Sequence, residues 1–152
     1  MADDPVLRAE GIAAIVVGAD PITGTVPVEI STERTDAAAV LAARYGPAVR
    51  VTVLDPTGAY LKPPGVIEGR VVDPQGRPVG DGALDRRALF GDIGLDTIGI
   101  GFGSDGRFRL ERMLPGPWRI TAEKDGFESA SVVVDVPPGG VATIEIVLRP
   151  AP

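Results

Sequence analysis

Residues 104–123 read SDGRFRLERMLPGPWRITAE, and the alternation of apolar and polar side chains in this stretch decides the fold. Phe108 and Leu110 alternate with arginines, and further on Trp118 and Ile120 alternate with polar residues. In a β-strand successive side chains point to opposite faces, so each segment predicts a strand with one apolar face. Stacking two such sheets face to face would remove the apolar faces from water.

The same two-residue period continues on both sides of this stretch. Ile67, Gly69 and Val71 share one face of a predicted strand, and Ile144 and Ile146 share one face of another. With 20 glycines and 15 prolines, the chain favours many short strands and turns over long helices. We therefore predict a mainly β protein. The predicted core of its C-terminal half consists of Phe108, Leu110, Trp118, Ile120, Phe127, Ile144 and Ile146.

Several short motifs in this half occur in the order and spacing of a known family. They are GRVVDPQGRPV at 69–79, SDGRFRL at 104–110, LPGPWRI at 114–120, KDGF at 124–127 and IEIVL at 144–148. The run from Gly65 to Leu148 resembles the carboxypeptidase regulatory-like domain, a relative of transthyretin-like and Ig-like sandwiches. The resemblance implies a seven-stranded antiparallel β-sandwich over residues 65–152, and it says little about function.

The first part of the chain follows a different pattern. Two apolar runs, 12–17 and 25–30, flank the turn signal DPITG and predict a β-hairpin. Because Pro27 lacks an N–H, we expect its strand to be an edge or to turn the missing donor outward. Thr35 is the predicted cap of a helix ending before Gly46, and a strand over 49–54 follows. Residues 1–61 are thus predicted to form a small α+β domain of β-β-α-β order, joined to the sandwich by the stiff connector LKPPG at 61–65.

The composition excludes several classes of function. A net charge of −6 with only two lysines argues against nucleic-acid binding. The absence of cysteine and histidine removes disulfides, zinc–thiolate sites, thiol nucleophiles and the commonest general base. No apolar run approaches the roughly twenty residues of a membrane span. We expect no cofactor and no metal. We expect a cytoplasmic protein if Met1 is native and an extracellular one if a leader was removed.

The chain departs from the family pattern between residues 80 and 103, where the usual strand motif is absent and a partly glycine-rich segment is compatible with a distorted strand and a long loop. Long loops on rigid sandwiches often carry binding surfaces, so Asp92, Ile93, Leu95 and Asp96 are the predicted binding loop. These aspartates, with Asp81 and Asp85, have the oxygen ligands that calcium prefers, but no calcium-loop motif is present, and turn or surface roles are favoured. Ile93, Leu95 and Phe102 are assigned to the core in preference to a partner-binding patch.

Catalysis is not favoured by any motif. The four serines, Ser31, Ser104, Ser129 and Ser131, have no histidine to activate them and lie in no G-x-S-x-G elbow. A hydrolase using only carboxylates stays open as a minor alternative. The sequence therefore predicts a protein that is not an enzyme.

Two functions remain. The first is a non-catalytic binding or structural module. Its sandwich would present loops or sheet edges to a protein or glycan partner, associate with itself through sheet edges, or act as a spacer in an assembly. The alternative is a protease-associated regulator or inhibitor acting through the N-terminal domain.

Overall fold

The computed structural model describes residues 4–91 and 96–152, and within them the protein is mainly β. The chain divides into two compact units, one running to Lys62 and the other starting at Pro63, although Gly91 groups with the first. The elements of the first unit are α1 (Pro5–Ala9), β1 (Ala13–Val17), β2 (Val26–Ser31), α2 (Ala37–Tyr45), β3 (Val49–Asp55) and a short 3₁₀ helix (Ala59–Leu61).

The sheet of the first unit has the order β1-β2-β3, with β1 and β2 antiparallel and β2 and β3 parallel. The predicted hairpin is present, but β2 is the central strand, so the first of the two alternatives for Pro27, an edge strand, was wrong. The carbonyl of Pro27 accepts a hydrogen bond from the N–H of Gly18 at 3.0 Å, one residue beyond the end of β1. Proline is tolerated here because its missing donor falls where the ladder with β1 is already ending.

Helix α2 covers one face of this sheet. Its buried Ala37 and Leu41 pack with Ile12, Val28 and Ile30 in the core of the unit. The residue that precedes the helix at its N-cap is Asp36 and not Thr35. The helix stops at Gly46, whose φ of +89° is in the left-handed region that glycine adopts without steric cost.

The elements of the second unit are strands. They are β4 (Gly65–Val72), β5 (Ala83–Ala88), β6 (Asp96–Gly101), β7 (Arg107–Met113), β8 (Gly116–Glu123), β9 (Phe127–Glu128), β10 (Ala130–Val136), β11 (Val141–Val147) and β12 (Arg149–Pro150). One sheet has the order β10-β8-β5-β6 and a second has the order β11-β4-β7, while β9 and β12 form a short pair.

The prediction of an antiparallel sandwich was wrong for one pair of strands. β4 and β11 run parallel over their whole length, from Val66 beside Val141 to Val72 beside Val147. Parallel neighbours need a long connection and cannot be joined by a hairpin. That condition is met because most of the second unit lies between these two strands in the chain.

The inward faces of the two sheets form the core of the sandwich. Of the predicted core residues, Phe108, Leu110, Trp118, Ile120 and Ile146 are buried, whereas Phe127 and Ile144 are only half-buried. Ile144 lies on β11, which is an edge strand, and Phe127 lies on the two-residue strand β9.

Two contacts show how the large rings fit this core. The indole N–H of Trp118 donates to the carbonyl of Leu114 at 2.8 Å, and Phe90 packs edge-on against the indole at 5.7 Å between ring centroids. The ring of Phe108 lies over Gly69, where an added Cβ would be 2.3 Å from its Cζ. A side chain at Gly69 would therefore displace the Phe108 ring.

A bulge interrupts the edge strand β7. Gly65 pairs with Met113 and Ile67 with Leu110, so two residues, Glu111 and Arg112, face a single residue of β4. Arg112 adopts φ +57°, a left-handed conformation that costs a residue with a Cβ about 1 kcal/mol. The bulge and its charged side chains protect this sheet edge against further strand pairing.

We expect Arg112→Gly to raise the free energy of unfolding of the sandwich relative to Arg112→Ala, by about 1 kcal/mol. Both substitutions remove the same charge and side chain, but only glycine relieves the left-handed backbone. The measurement is unfolding by denaturant, with the fluorescence of Trp118 as the signal. Equal stability of the two variants would show that the backbone at 112 is not strained.

Among the residues described, no helix has the length and apolar character needed to cross a membrane.

Candidate functional site

The predicted binding loop falls largely outside the described part of the chain. Asp92, Ile93 and Leu95 lie outside the described residues. Asp96 is the first residue of β6, and its backbone lies opposite that of Arg87 in the ladder with β5. Phe102, which was assigned to the core, is buried. The loop itself remains a prediction.

The other aspartates considered as calcium ligands have separate surroundings. The carboxylate of Asp85 accepts the N–H of Gly99 at 2.9 Å, where β6 carries one extra residue opposite β5. Asp81 lies in a pocket at the end of the sandwich. Across the described ranges, no group of three or more acidic, histidine or cysteine side chains is arranged to hold a metal ion.

One concave surface in the described part of the sandwich is a shallow groove of about 940 Å³ on the sheet β11-β4-β7, which we call the sheet-face groove. Its charged side chains are largely paired with one another. Arg109 pairs with both Glu68 and Glu111, and Arg70 lies 2.6 Å from the carboxylate of Glu145. A ligand would have to break ion pairs to bind these groups, so the groove is a solvated, internally neutralised face.

The second concave surface, which we call the end pocket, has a volume of about 560 Å³ and a different character. It is formed where the segment before β5 meets the turn between β8 and β9. The lining residues are Asp81, Gly82, Ala83, Glu123, Lys124, Asp125, Phe127 and Ser129.

Three acidic residues that line the end pocket are unpaired. Asp81, Glu123 and Asp125 are exposed, and within residues 4–91 and 96–152 their carboxylates make no hydrogen bond or ion pair. Lys124 uses its ammonium group locally, because its Nζ donates to the backbone carbonyl of Asp81 at 3.0 Å. Phe127, which is half-buried, is also among the lining residues.

The backbone at the rim of this pocket has an uncommon conformation. Asp81 adopts φ +57°, which is rare for a residue with a Cβ. Next to it, an added Cβ on Gly82 would lie 2.5 Å from the carbonyl oxygen of Glu123 and 2.4 Å from the ring of Phe102. The close approach at Gly82 brings the segment carrying Asp81 against the end of β8.

The sequence analysis did not predict this pocket. The motif KDGF marked Lys124 to Phe127 as a turn, but Phe127 was assigned to the core, and Asp81 was considered only as a calcium ligand. The signal that was available is the pair of Asp-Gly turns, at 81–82 and 125–126, with an aromatic residue following the second. That these turns meet depends on the pairing of β5 with β8.

The comparison with family models gives one match to this fold. The model of the carboxypeptidase regulatory-like domain matches residues 66–149, which is more than half of the chain. The chain belongs to the carboxypeptidase regulatory-like domain family. The match covers every strand from β5 to β11 and nearly all of β4.

The carboxypeptidase regulatory-like domain is also similar in structure to solved proteins of low sequence identity. Hydroxyquinol 1,2-dioxygenase from Pseudomonas putida is 15% identical over 59% of this chain and 57% of its own, with a TM-score of 0.46. A candidate carbohydrate-binding protein from Bacteroides uniformis is 21% identical over 58% and 42%, with a TM-score of 0.45. The minor pilin of Streptococcus agalactiae is 12% identical over 69% and 50%, with a TM-score of 0.47.

These similarities are partial. This chain spans 57% of the first of these structures and a smaller share of the other two. At such scores and identities they carry no argument about function. A comparison with curated protein sequences gave no match.

Asp73 lies in the turn after β4 of the carboxypeptidase regulatory-like domain, and its contacts give it a structural role. One carboxylate oxygen of Asp73 accepts the backbone N–H groups of Gln75 and Arg77, each at 2.9 Å, and the other accepts the side chain of Arg77 at 2.6 Å. Burial raises the pKa of Asp73, but these hydrogen bonds outweigh it and hold the pKa below its ordinary value. Asp73 therefore stays charged and shapes the turn after β4.

Proposed function

We propose that this protein is a non-catalytic binding module whose sandwich presents the end pocket and neighbouring loops to a partner. The observation that carries the proposal is the contrast between the sheet-face groove and the end pocket. The charged groups of the sheet-face groove are paired with one another, whereas the carboxylates of Asp81, Glu123 and Asp125 have no partner in the described part of the chain.

Three aspartates with lowered pKa values have structural roles in turns. Asp20, Asp55 and Asp73 each accept hydrogen bonds within a turn, and the pKa of each is lowered. A carboxylate acting as a general acid at neutral pH needs a raised pKa. The shifts in these aspartates thus serve the folding of turns.

Assembly through the edge strand β7 is not favoured. The edge strand β7 carries the bulge at Arg112 and the exposed charges of Arg107, Arg109 and Glu111. Charged side chains and bulges on an edge discourage pairing with a second chain. We therefore place the binding surface at the end of the sandwich and not along this edge.

We further propose that residues 1–61 and 65–152 are two domains, the second a seven-stranded sandwich extended by the short strands β9 and β12. The division of the chain into compact units at Lys62 and Pro63 supports this assignment. In this proposal the β-β-α-β part of the first domain accompanies the sandwich without carrying its binding surface.

The test of the binding-module proposal is a pair of assays on the full chain. We expect a panel of chromogenic esters and glycosides to show no turnover, and light scattering over a concentration series to show a monomer. Turnover that disappears in Asp125→Asn would overturn the proposal in favour of a carboxylate hydrolase. A mass that grows with concentration would replace partner binding by assembly.

The protease-regulator hypothesis is separated from this proposal by an inhibition panel. If the first domain acts on a peptidase, the full chain should inhibit at least one serine or metallopeptidase at stoichiometric concentration. We expect no inhibition, and a stoichiometric inhibitor of any enzyme in the panel would overturn the binding-module proposal.

A further inference from the structure

We propose that residues 4–11 form a strap that closes over the core of the first unit and is loosened by acid, while α2 and the sheet β1-β2-β3 stay folded. This device lies in the first unit and does not depend on the binding role proposed for the sandwich. Three properties of the strap support it: main-chain hydrogen bonds that stay inside the segment, a single buried side chain, and a carboxylate that fastens the segment to α2.

The main chain of the strap is bonded to itself. The N–H groups of Arg8, Glu10 and Gly11 bond to carbonyl groups within the strap, and the N–H of Ile12 bonds back to the carbonyl of Leu7. The five-residue helix α1 is also far shorter than the roughly 12–15 residues that an isolated helix needs in water. Release of the strap would therefore unwind α1 and leave the hydrogen bonds of the sheet intact.

Leu7 is the one residue of the strap that is buried, at 1% exposure. Its side chain belongs to the core cluster that contains Leu41 of α2 and Val49 of β3. The other residues of α1 are exposed, namely Pro5, Val6, Arg8 and Ala9. Opening the strap exposes one large apolar side chain, whereas unfolding the unit exposes the whole cluster. We therefore expect the strap to open more often than the unit unfolds, and each opening to uncover the apolar site that Leu7 fills.

Asp4 fastens the strap to the end of α2. Its carboxylate accepts the hydroxyl of Tyr45 at 2.7 Å and the N–H of Val6 at 2.9 Å. The hydrogen bond from Tyr45 is the main reason that the pKa of Asp4 is lowered, the N–H of Val6 adds to the effect, and burial opposes it only in part. Among the described residues, the titratable side chains that act on this carboxylate are Tyr45 and Arg44, the last two residues of α2.

The direction of this shift makes the strap sensitive to acid. A carboxyl group whose pKa is lower in the closed strap than in the open one stabilises the closed strap above the ordinary aspartate pKa of about 3.9. That contribution is lost as the pH falls through the lowered pKa, because both states then carry a protonated Asp4. Acid therefore favours opening.

The end of the strap is held by a weaker ionic contact. Arg44 lies 2.7 Å from Oε1 of Glu10, and Arg34 donates to the Glu10 carbonyl at 3.0 Å. The other carboxylate oxygen of Glu10, Oε2, is buried and has no hydrogen-bond partner in the described part of the chain. A carboxylate that is only half satisfied holds the strap weakly. Two further contacts complete the attachment, from Arg8 to the carbonyl of Tyr60 and from Thr32 to the carbonyl of Gly11.

The experiment is amide hydrogen exchange of the full chain, followed residue by residue by NMR at about pH 6 and about pH 3, on either side of the aspartate range. Rates are corrected for the pH dependence of chemical exchange. The amides of Arg8, Glu10 and Ile12 report on the strap, and those of α2 and β2 report on the unit. We expect the strap amides to exchange through an opening that leaves α2 and β2 protected, and the opening to be about twofold to tenfold more frequent at the lower pH.

Tyr45→Phe keeps the aromatic ring and removes the hydroxyl that bonds to Asp4. We expect it to raise the frequency of opening about threefold to tenfold at the higher pH and to reduce the difference between the two pH values. Arg44→Gln should raise the frequency of opening about twofold to fivefold. The matched control is Lys62→Gln, because it removes an ion pair of the same length, 2.7 Å to Glu33, that does not involve the strap. We expect the control to leave the opening of the strap unchanged.

Three results would overturn the proposal. Strap amides that exchange only as fast as those of α2 and β2 would show that the segment opens only when the whole unit unfolds. An unchanged pH dependence in Tyr45→Phe would show that acid does not act through Asp4. Equal effects of Arg44→Gln and Lys62→Gln would reduce the response to a general loss of stability.

Discussion

Gly106→Ala will lower the free energy of unfolding of the sandwich by about 2–4 kcal/mol. Gly106 adopts φ +74°, and an added Cβ would lie 2.5 Å from the carbonyl oxygen of Val71 and 2.9 Å from that of Val79. The left-handed backbone costs alanine about 1 kcal/mol, and overpacking against main-chain atoms adds about 1–3 kcal/mol. The obstructing atoms are backbone, so they cannot move aside as a flexible side chain would.

The matched control for this prediction is Gly76→Ala. Gly76 adopts nearly the same φ, +77°, but nothing lies within 4 Å of an added Cβ. We expect this variant to lose only about 1 kcal/mol, the cost of the backbone conformation alone. Trp118, the single tryptophan of the chain, reports the unfolding of the sandwich through its fluorescence. Equal losses in the two variants would mean that the turn at Gly106 opens to accommodate a methyl group.

Asp55→Ala will destabilise the first unit by about 2–4 kcal/mol. The buried carboxylate of Asp55 accepts the hydroxyl of Ser31 at 2.5 Å, the N–H and hydroxyl of Thr57, and the N–H of Ala59 at 2.7 Å. Without it, the donors of Ser31 and Ala59 are left buried and unsatisfied, at about 1–3 kcal/mol for each.

This prediction is measured by the tyrosine absorbance of the first unit. Both tyrosines, Tyr45 and Tyr60, lie in that unit, so tyrosine absorbance follows its unfolding while Trp118 follows the sandwich. Asp20→Ala is the control, because Asp20 makes similar bonds to Ile22 and Thr23 in an exposed turn where water can replace it. If Asp55→Ala lowered the stability reported by the tyrosines and by Trp118 equally, the two units would unfold together, against the proposed division into domains.

The contribution of Asp55 should also depend on pH. Burial raises the pKa of its carboxyl, but the hydrogen bonds from Ser31, Thr57 and Ala59 outweigh burial and hold the pKa below its ordinary value. A lowered pKa in the folded state contributes stability above the unfolded pKa of about 3.9, and the contribution is lost as pH falls through the folded pKa. The stability difference between the unchanged protein and Asp55→Asn should therefore be constant at neutral pH and shrink below about pH 4. A difference that grew on acidification would contradict the assignment.

Local patterns predicted most of the strands correctly because they depend only on neighbouring residues. Alternation around Phe108 and Trp118 identified β7 and β8, and the apolar runs on each side of the DPITG turn identified β1 and β2. Helix α1 was missed, although Asp4 caps it and Pro5 occupies its first position, because its five residues are too short to show a helical period.

Contacts between distant segments were the part that the sequence could not supply. The Pro27 strand was expected at an edge, and it is central because β3 pairs along its other side. The orientation of β11 beside β4 is set by a connection that passes through most of the sandwich. In the same way, Asp81 and Asp125 line one pocket because β5 pairs with β8, which no local motif records.

By itself, the sequence of this protein determined most of its strands, several of its turns and its membership of a β-sandwich family, because side-chain alternation and the conformations of glycine and proline act within a few residues. Only the tertiary structure decided which strands pair in parallel, which predicted core residues remain half-exposed, and which carboxylates are left unpaired. Those outcomes depend on non-local packing, in which each side chain's neighbours come from distant parts of the chain.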